Sequence, residues 1–123
     1  MQTILLIMRR KSVAQGLAQT LGDGLRVIVE PSHRRAQARV RAGGADIALV
    51  EVAESGGHGI AECLALCACL REGVPQCKLL LMCPEQDRDS VAQAIAAKWQ
   101  GRIDDFVFYD ATTDYLVSKL LSM

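Results

Sequence analysis

Cationic side chains cluster near the start of the chain, where they could bind an anion. A short apolar run is followed directly by Arg9, Arg10, Lys11 and Ser12. If the run is a strand and the next segment a helix, cations and free backbone N–H groups converge at their junction. The stretch lacks the glycines that let a backbone wrap around a phosphate, so it is weak evidence for a nucleotide site. The binding of an anionic small ligand near Arg9–Ser12 is one hypothesis for the function.

Five cysteines could hold a metal ion or carry redox chemistry. Cys63, Cys67 and Cys69 lie in a segment of helical periodicity, where each residue advances by ~100°, so Cys69 points nearly opposite to Cys67. The three thiols do not converge on one ion, and we expect them to pack in the core. Cys77 and Cys83 bracket another apolar run. Because the number is odd and the chain is long enough to build a core, we expect reduced thiols rather than disulfides.

The remaining polar residues do not form a catalytic set. His58 lies between two glycines without a partner nearby in sequence, which favours a histidine on a surface loop. No arrangement of nucleophile, base and orienting residue is present, so we predict no enzyme, no metal and no cofactor. A basic segment without interleaved aromatic residues is best explained by a solvated helix face, and next by a partner or phosphate-backbone contact. It contains Arg34, Arg35, Arg39 and Arg41.

Charge is unequally distributed along the chain, although 14 basic side chains balance 14 acidic ones overall. Residues 1–45 carry eight basic and two acidic side chains, a net charge of +6. Residues 46–123 carry six basic and twelve acidic side chains, a net charge of −6. This asymmetry permits head-to-tail self-association or a polar partner. A strong nucleic-acid binder is usually basic overall, so we expect no direct nucleic-acid binding.

Apolar runs rich in β-branched residues alternate with segments of helical periodicity, as is typical of buried parallel strands and the helices between them. The predicted strands are Thr3–Met8, Leu25–Glu30, Asp46–Val52, Lys78–Cys83 and Phe106–Tyr109. The predicted helices are Ser12–Leu21, Arg34–Ala42 with Ser32 as N-cap, Ile60–Arg71, Asp89–Trp99 and Thr113–Leu121. The fourth helix carries an apolar stripe, and the last helix is expected to turn four residues inward. These are Val91, Ala92, Ile95, Ala96 and Trp99, and Leu116, Val117, Leu120 and Leu121.

This alternation predicts an α/β fold of the (βα)5 type, a doubly wound five-stranded parallel sheet with helices on both faces. A chain of 123 residues, half of them hydrophobic, fits one domain over residues 1–123. In such folds ligands bind at the carboxyl ends of the strands. The apolar stretch Ile4–Met8 is too short for a signal peptide or a membrane span, so we expect a cytoplasmic protein without membrane contact.

Two stretches carry spaced acidic residues and glycines. Residues 45–59 read ADIALVEVAESGGHG, and residues 103–109 read IDDFVFY. The first resembles the third strand and following loop of response-regulator receiver domains of two-component systems, with Asp46, Gly56 and Gly59 on the family pattern. The second is similar to the family's Ala-Asp-Asp-Tyr motif before the final helix. The resemblance covers the chain in length and element order, and implies the strand order 2-1-3-4-5 with helices 1 and 5 on one face.

The phosphorylation chemistry of the family is missing, because this sequence departs from the family pattern at the residues that carry it. In a receiver domain, an Asp at the end of strand 3 accepts a phosphoryl group. That Asp and an acidic pair at the end of strand 1 hold Mg²⁺. Residues 1–22 contain no Asp or Glu, so a different register does not restore the pair. All five positions of this degenerate phosphoacceptor pocket differ: Met8 and Arg9 replace the acidic pair, Glu51 the phosphoacceptor, Cys83 the Ser/Thr and Tyr109 the Lys.

Opposite charges at neighbouring strand ends favour an ion pair between Glu51 and Arg9 or Arg10, which would imitate the phosphorylated, metal-bound state. The alternative is a decayed pocket with solvated side chains. The resemblance implies a phosphorylation-independent module, part of or partner to a bacterial response or transcription regulator. It would bind a protein partner or a second copy through helix 4, strand 5 and helix 5, with Phe106 at the aromatic switch position. The alternative function is a flavodoxin-like domain that binds an anionic ligand or nucleotide near Arg9–Ser12.

Overall fold

A computed structural model describes residues 2–22, 24–43, 45–53 and 58–123; Gly56 of the loop motif lies outside them. Over these residues five strands alternate with five helices, and no helix is long and apolar enough to cross a lipid bilayer. The predicted bounds hold to within two residues. The strands are β1 (Thr3–Ile7), β2 (Arg26–Val29), β3 (Ile47–Glu51), β4 (Lys78–Cys83) and β5 (Asp105–Phe108), and the helices are α1 (Lys11–Leu21), α2 (His33–Arg41), α3 (Ile60–Gly73), α4 (Arg88–Trp99) and α5 (Thr113–Leu121).

The strands form one parallel sheet in the order β2-β1-β3-β4-β5, which confirms the predicted doubly wound fold. Every residue of β1 and β3 is buried, as their near-continuous apolar sequences require. Ile7 pairs with Val50 and Glu51 pairs with Met82, so the carboxyl ends of the strands meet at one edge. The residues that follow the strands therefore share one surface.

Successive side chains of the sheet face two separate cores because the side-chain period of a strand is two residues. Ile4 and Leu6 face the core that α1 and α5 cover. Leu5 and Ile7 face the core that α2, α3 and α4 cover. This arrangement confirms the predicted distribution of helices over the two faces of the sheet.

Helix α4 buries small residues and exposes most of the apolar stripe in its sequence. Small residues, Ser90, Ala94 and Ala97, form its buried face. Among the large apolar residues of the stripe, Trp99 is 87% exposed and Ile95 is 42% exposed, while Val91 is partly buried against the core. Small side chains let the helix lie close to β4 and the edge strand β5, where a tryptophan would hold it away. The apolar stripe of this helix is therefore not its core-facing side.

Helix α5 departs from the expectation at one position. Leu116 and Leu120 are buried and Val117 is partly buried, but Leu121 is 54% exposed. Leu121 ends the helix and is rotated by ~100° from Leu120. That rotation turns its side chain away from the sheet.

Candidate functional site

The five residues that the sequence places in a degenerate pocket lie at or just after the carboxyl ends of the strands. Their side chains do not all meet, because Cys83 packs in the core on one face of the sheet and Met8 and Tyr109 pack in the core on the other. Met8 follows β1 and is 2% exposed, and Glu51 ends β3 with 6% exposure. Cys83 ends β4 fully buried, and Tyr109 follows β5, where its backbone N–H donates to the carbonyl of Cys83 at 3.1 Å. Arg9 comes directly after Met8 with an exposed side chain.

Both carboxylate oxygens of Glu51 contact residues that follow β1. Oε1 accepts a hydrogen bond from the backbone N–H of Arg9 at 3.0 Å. Oε2 lies 3.2 Å from Nε of Arg10, an ion pair that does not have hydrogen-bond geometry. The choice that the sequence left open is thus resolved, because Arg10 contributes its charge and Arg9 contributes its main chain.

Arg10 also contacts the end of β5. Its guanidinium carbon lies 3.8 Å from the ring centroid of Tyr109, a cation–π contact. Arg10 therefore bridges Glu51 and Tyr109 across the carboxyl edge, with its own side chain 45% exposed. A cation built into the chain offsets the cost of burying the Glu51 carboxylate.

The pocket does not fit the Mg²⁺ ion of receiver chemistry. Mg²⁺ needs oxygen ligands in near-octahedral geometry, and Glu51 is the one carboxylate among the five pocket residues. Met8 supplies a thioether, and Arg10 places a positive charge against Glu51. Elsewhere in the described parts of the chain, no three His, Cys, Asp or Glu side chains are grouped to hold a metal.

The thiols near the site are buried and protonated. Burial, together with the charge of Asp87, raises the pKa of Cys83 to about 12. Cys63 donates through its Sγ to the carbonyls of Glu51 at 3.4 Å and His58 at 3.3 Å, and burial raises its pKa to about 12. Cys83 is therefore a poor nucleophile, which argues against a redox role.

The other cysteines follow the core-packing prediction with one exception. Cys67 and Cys77 are buried, but Cys69 is exposed on α3. It lies two positions along the helix from Cys67, which turns it to the opposite side.

A stacked histidine pair lies at the same edge, and sequence reasoning missed it. The rings of His33 and His58 are parallel to within 8°, with centroids 3.7 Å apart. Burial is the largest cause lowering both pKa values, that of His33 to about 4, and the positive charge of Arg9 adds to it. The expectation of a lone surface histidine at His58 is wrong. Only the placement of both residues after strands that flank β1 could have suggested the contact.

The proposed anion site uses residues that are partly engaged elsewhere. Lys11 begins α1, and its side chain and those of Arg9 and Ser12 are exposed. The charge of Arg10 and the backbone N–H of Arg9 are directed to Glu51. The convergence of cations and N–H groups that the sequence predicts is thus directed to an internal carboxylate.

A second surface surrounds Phe106 and is called here the α4–β5–α5 face. Phe106 lines a groove of about 500 Å³ together with Ile95, Lys98 and Trp99. Asp105 pairs with Lys98 of α4 at 3.0 Å and with Lys119 of α5, and these pairs hold both helices to β5. The groove is apolar and open to solvent, as an interaction surface requires.

Solved structures of receiver domains have the same fold as this chain. A response regulator from Thermotoga maritima matches with a TM-score of 0.79 at 21% identity, over 98% of this chain and 95% of that one. The BeF3-activated N-terminal receiver domain of RstA from Klebsiella pneumoniae matches with 0.73 at 20% identity, over 98% and 97%. A CheY-like protein, tadZ, from Pseudomonas aeruginosa PAO1 matches with 0.74 at 16% identity, over 99% and 98%.

By sequence, no protein-family model and no curated protein matches. At the identities found among the solved structures, the likeness establishes the fold. The chain has the fold of response-regulator receiver domains, with CheY-like strand order and helix placement.

Proposed function

We propose that this chain is a receiver-like signalling module that works without phosphorylation and without enzymatic activity. It acts by protein–protein contact, as part of or partner to a bacterial response or transcription regulator. The observation that supports this most directly is the position of Arg10, whose Nε lies 3.2 Å from the Glu51 carboxylate. In a receiver domain the corresponding carboxylate accepts the phosphoryl group.

The Arg10 contact disfavours phosphoryl transfer to Glu51. Attack on a phosphodonor needs a free carboxylate oxygen and cations that stabilise the charge developing on the transferred group. One oxygen of Glu51 accepts a hydrogen bond from Arg9, and the other faces Arg10. Tyr109, at the position of the family's Lys, supplies an aromatic ring to Arg10 instead. We infer that the module has one resident state at this site.

The α4–β5–α5 face is the surface we propose for its protein partner or a second copy. Trp99 is 87% exposed and Tyr115 of α5 is 52% exposed, and Phe106 lies between their helices. Exposed aromatic residues around an apolar groove are the side chains that contribute most to protein interfaces. Partner binding there would bury a face of α4 that the fold leaves in water.

Phosphodonor treatment tests the phosphorylation-independent part of the proposal. The protein is incubated with Mg²⁺ and acetyl phosphate, and its intact mass is measured beside that of Glu51→Gln. We expect no mass gain in either protein, because Glu51 is already neutralised from within. A stoichiometric gain of one phosphoryl group that Glu51→Gln abolishes would contradict the proposal.

A further inference from the structure

A basic surface lies at one lateral edge of the sheet. Helix α2 begins directly after the edge strand β2, and Arg34 and Arg35 are exposed in its first turn. The neighbouring acid, Glu30, pairs instead with Arg39 at 3.1 Å. Arg34 and Arg35 make no ion pair with any residue that the structure describes. They form the α2 basic surface.

An acidic surface lies toward the other lateral edge, after β4 and β5. Glu85 follows β4 and Asp110 follows β5, and both are exposed. Both residues line one groove at this end of the sheet, and the neighbouring Asp110 carboxyl is the largest cause raising the pKa of Glu85. Within the described ranges no cation pairs with either residue. A positively charged partner would stabilise these two adjacent acids, which are called here the β4–β5 acidic surface.

The two surfaces are placed so that one copy can present its acids to the bases of the next. Strands β2 and β5 form opposite edges of the sheet, separated by four strand spacings or about 19 Å. Both surfaces lie at the carboxyl end, because α2 follows β2 while Glu85 and Asp110 follow β4 and β5. A sideways displacement of one copy therefore brings the β4–β5 acidic surface beside the α2 basic surface of its neighbour.

We propose that copies of this chain associate side by side, with Arg34 and Arg35 of one copy against Glu85 and Asp110 of the next. A second copy fits both surfaces at once, whereas a nucleic acid would fit the basic one alone. The net charge of zero removes overall repulsion between copies. The contact joins different surfaces of the two copies, so it extends into rows unless a rotation closes it into a ring.

The charged residues of this contact do not line the apolar groove of the α4–β5–α5 face, and an association that they drive has a different salt dependence from one driven by that groove. Exposed ion pairs are individually weak. Salt limits the range of charge interactions to ~10 Å at 0.1 M and to ~3 Å at 1 M. Charge-driven association should therefore be concentration-dependent at low salt and absent at high salt. An apolar contact through Trp99 would persist at high salt.

Light scattering over a concentration series tests the proposal. All variants carry Trp99→Ala, so that association through the α4–β5–α5 face does not contribute. At about 0.01 M salt, charge interactions extend over ~30 Å, and we expect the average mass to rise with protein concentration. At 1 M salt we expect the mass to return to the monomer value. Arg34→Glu with Arg35→Glu should weaken association at least about tenfold, as should Glu85→Lys with Asp110→Lys, because like charges then face each other.

The charge reversals also provide a rescue and a matched control. An equimolar mixture of the two reversed variants should associate again, since the reversed bases of one meet the reversed acids of the other. Lys78→Glu with Arg102→Glu changes net charge as the Arg34 and Arg35 reversal does, but at the amino end of the sheet. We expect it to weaken association less than that reversal does.

Three outcomes would overturn the proposal. The first is a monomer at every concentration in low salt, including a monomer that instead binds a single-stranded oligonucleotide through Arg34 and Arg35. The second is association that the control reversal weakens as much as the two designed reversals do. The third is failure of the mixture to restore association while both variants are folded by circular dichroism.

Discussion

Nε of Arg10 lies 3.2 Å from Oε2 of Glu51, and this ion pair joins the loop between β1 and α1 to the end of β3. Because β1 and β3 are neighbours in the sheet, residues 41 positions apart in sequence meet at one edge. The guanidinium continues onto the ring of Tyr109 beyond β5. One side chain thus ties together three strand ends at the site where a receiver domain would hold its metal and phosphoryl group.

Replacing Arg10 should destabilise the fold. Arg10→Ala leaves the buried Glu51 carboxylate with one backbone hydrogen bond, and we expect a loss of about 1–2 kcal/mol, below that of a fully buried pair because Arg10 is half exposed. Arg9→Ala is the matched control, because its backbone N–H remains and it should change stability by less than about 0.5 kcal/mol. Urea unfolding at pH 8 measures both. Equal effects of the two substitutions would contradict the ion pair.

Trp99 should report on the α4–β5–α5 face, since it is the only tryptophan of the chain. Its 87% exposure predicts emission typical of a hydrated indole and ready quenching by acrylamide in dilute protein. Trp99→Ala should leave the urea midpoint unchanged, because an exposed side chain contributes little to folding. A blue-shifted, protected indole in dilute monomer, or marked destabilisation by the substitution, would mean that α4 buries its apolar stripe after all.

Acidification should destabilise the protein through the histidine stack. Folding lowers the pKa of His33 from about 6.5 to about 4, so the unfolded chain binds more protons in between. The contribution of His33 to the free energy of unfolding is complete above pH 6.5. It falls as the pH decreases toward 4, by at most ~1.4 kcal/mol per pH unit for one proton.

Measurements between pH 5 and 6.5 reduce the contribution of carboxylates such as Glu30, whose pKa is also lowered. His33→Gln with His58→Gln should flatten this part of the stability profile. An unchanged slope in the double variant would show that other groups carry the pH dependence.

Native thiol labelling should be selective. Cys69 is exposed and the other four cysteines are buried, so one adduct should form rapidly with iodoacetamide in native protein. Cys69→Ser should abolish this rapid phase in the intact mass, because the four remaining thiols are buried. Burial also raises the pKa of Cys83 to about 12, which makes that thiol unreactive. Rapid labelling of Cys83 would reopen a redox role for the carboxyl edge.

The strands and their order could be predicted from sequence because the evidence is local and repeated. The runs at β1, β3 and β4 are apolar on both faces, which a chain of this size satisfies only by placing them centrally between helices. Right-handed crossovers then limit the possible topologies, and the motifs around Asp46 and Asp105 indicate the register. The five pocket positions followed from that register, and the structure does bring their strand ends together.

Side-chain direction could not be predicted in this way, because it depends on what lies across the chain. The α4 stripe from Val91 to Trp99 has the periodicity of a buried face, yet the fully buried residues of this helix are Ser90, Ala94 and Ala97. Periodicity shows that a helix has an apolar face, and tertiary packing decides whether that face is covered.

The contacts at the carboxyl edge were likewise decided by tertiary structure. The sequence placed Arg9 and Arg10 near Glu51, but adjacent residues leaving a strand point to different sides, and only the fold directs Arg10 to the carboxylate. His33 and His58 stack because β2 and β3 flank β1 and bring two distant loops together. Composition and periodicity therefore determined the scaffold, whereas the charge balance of the pocket depends on a few ångströms of side-chain placement.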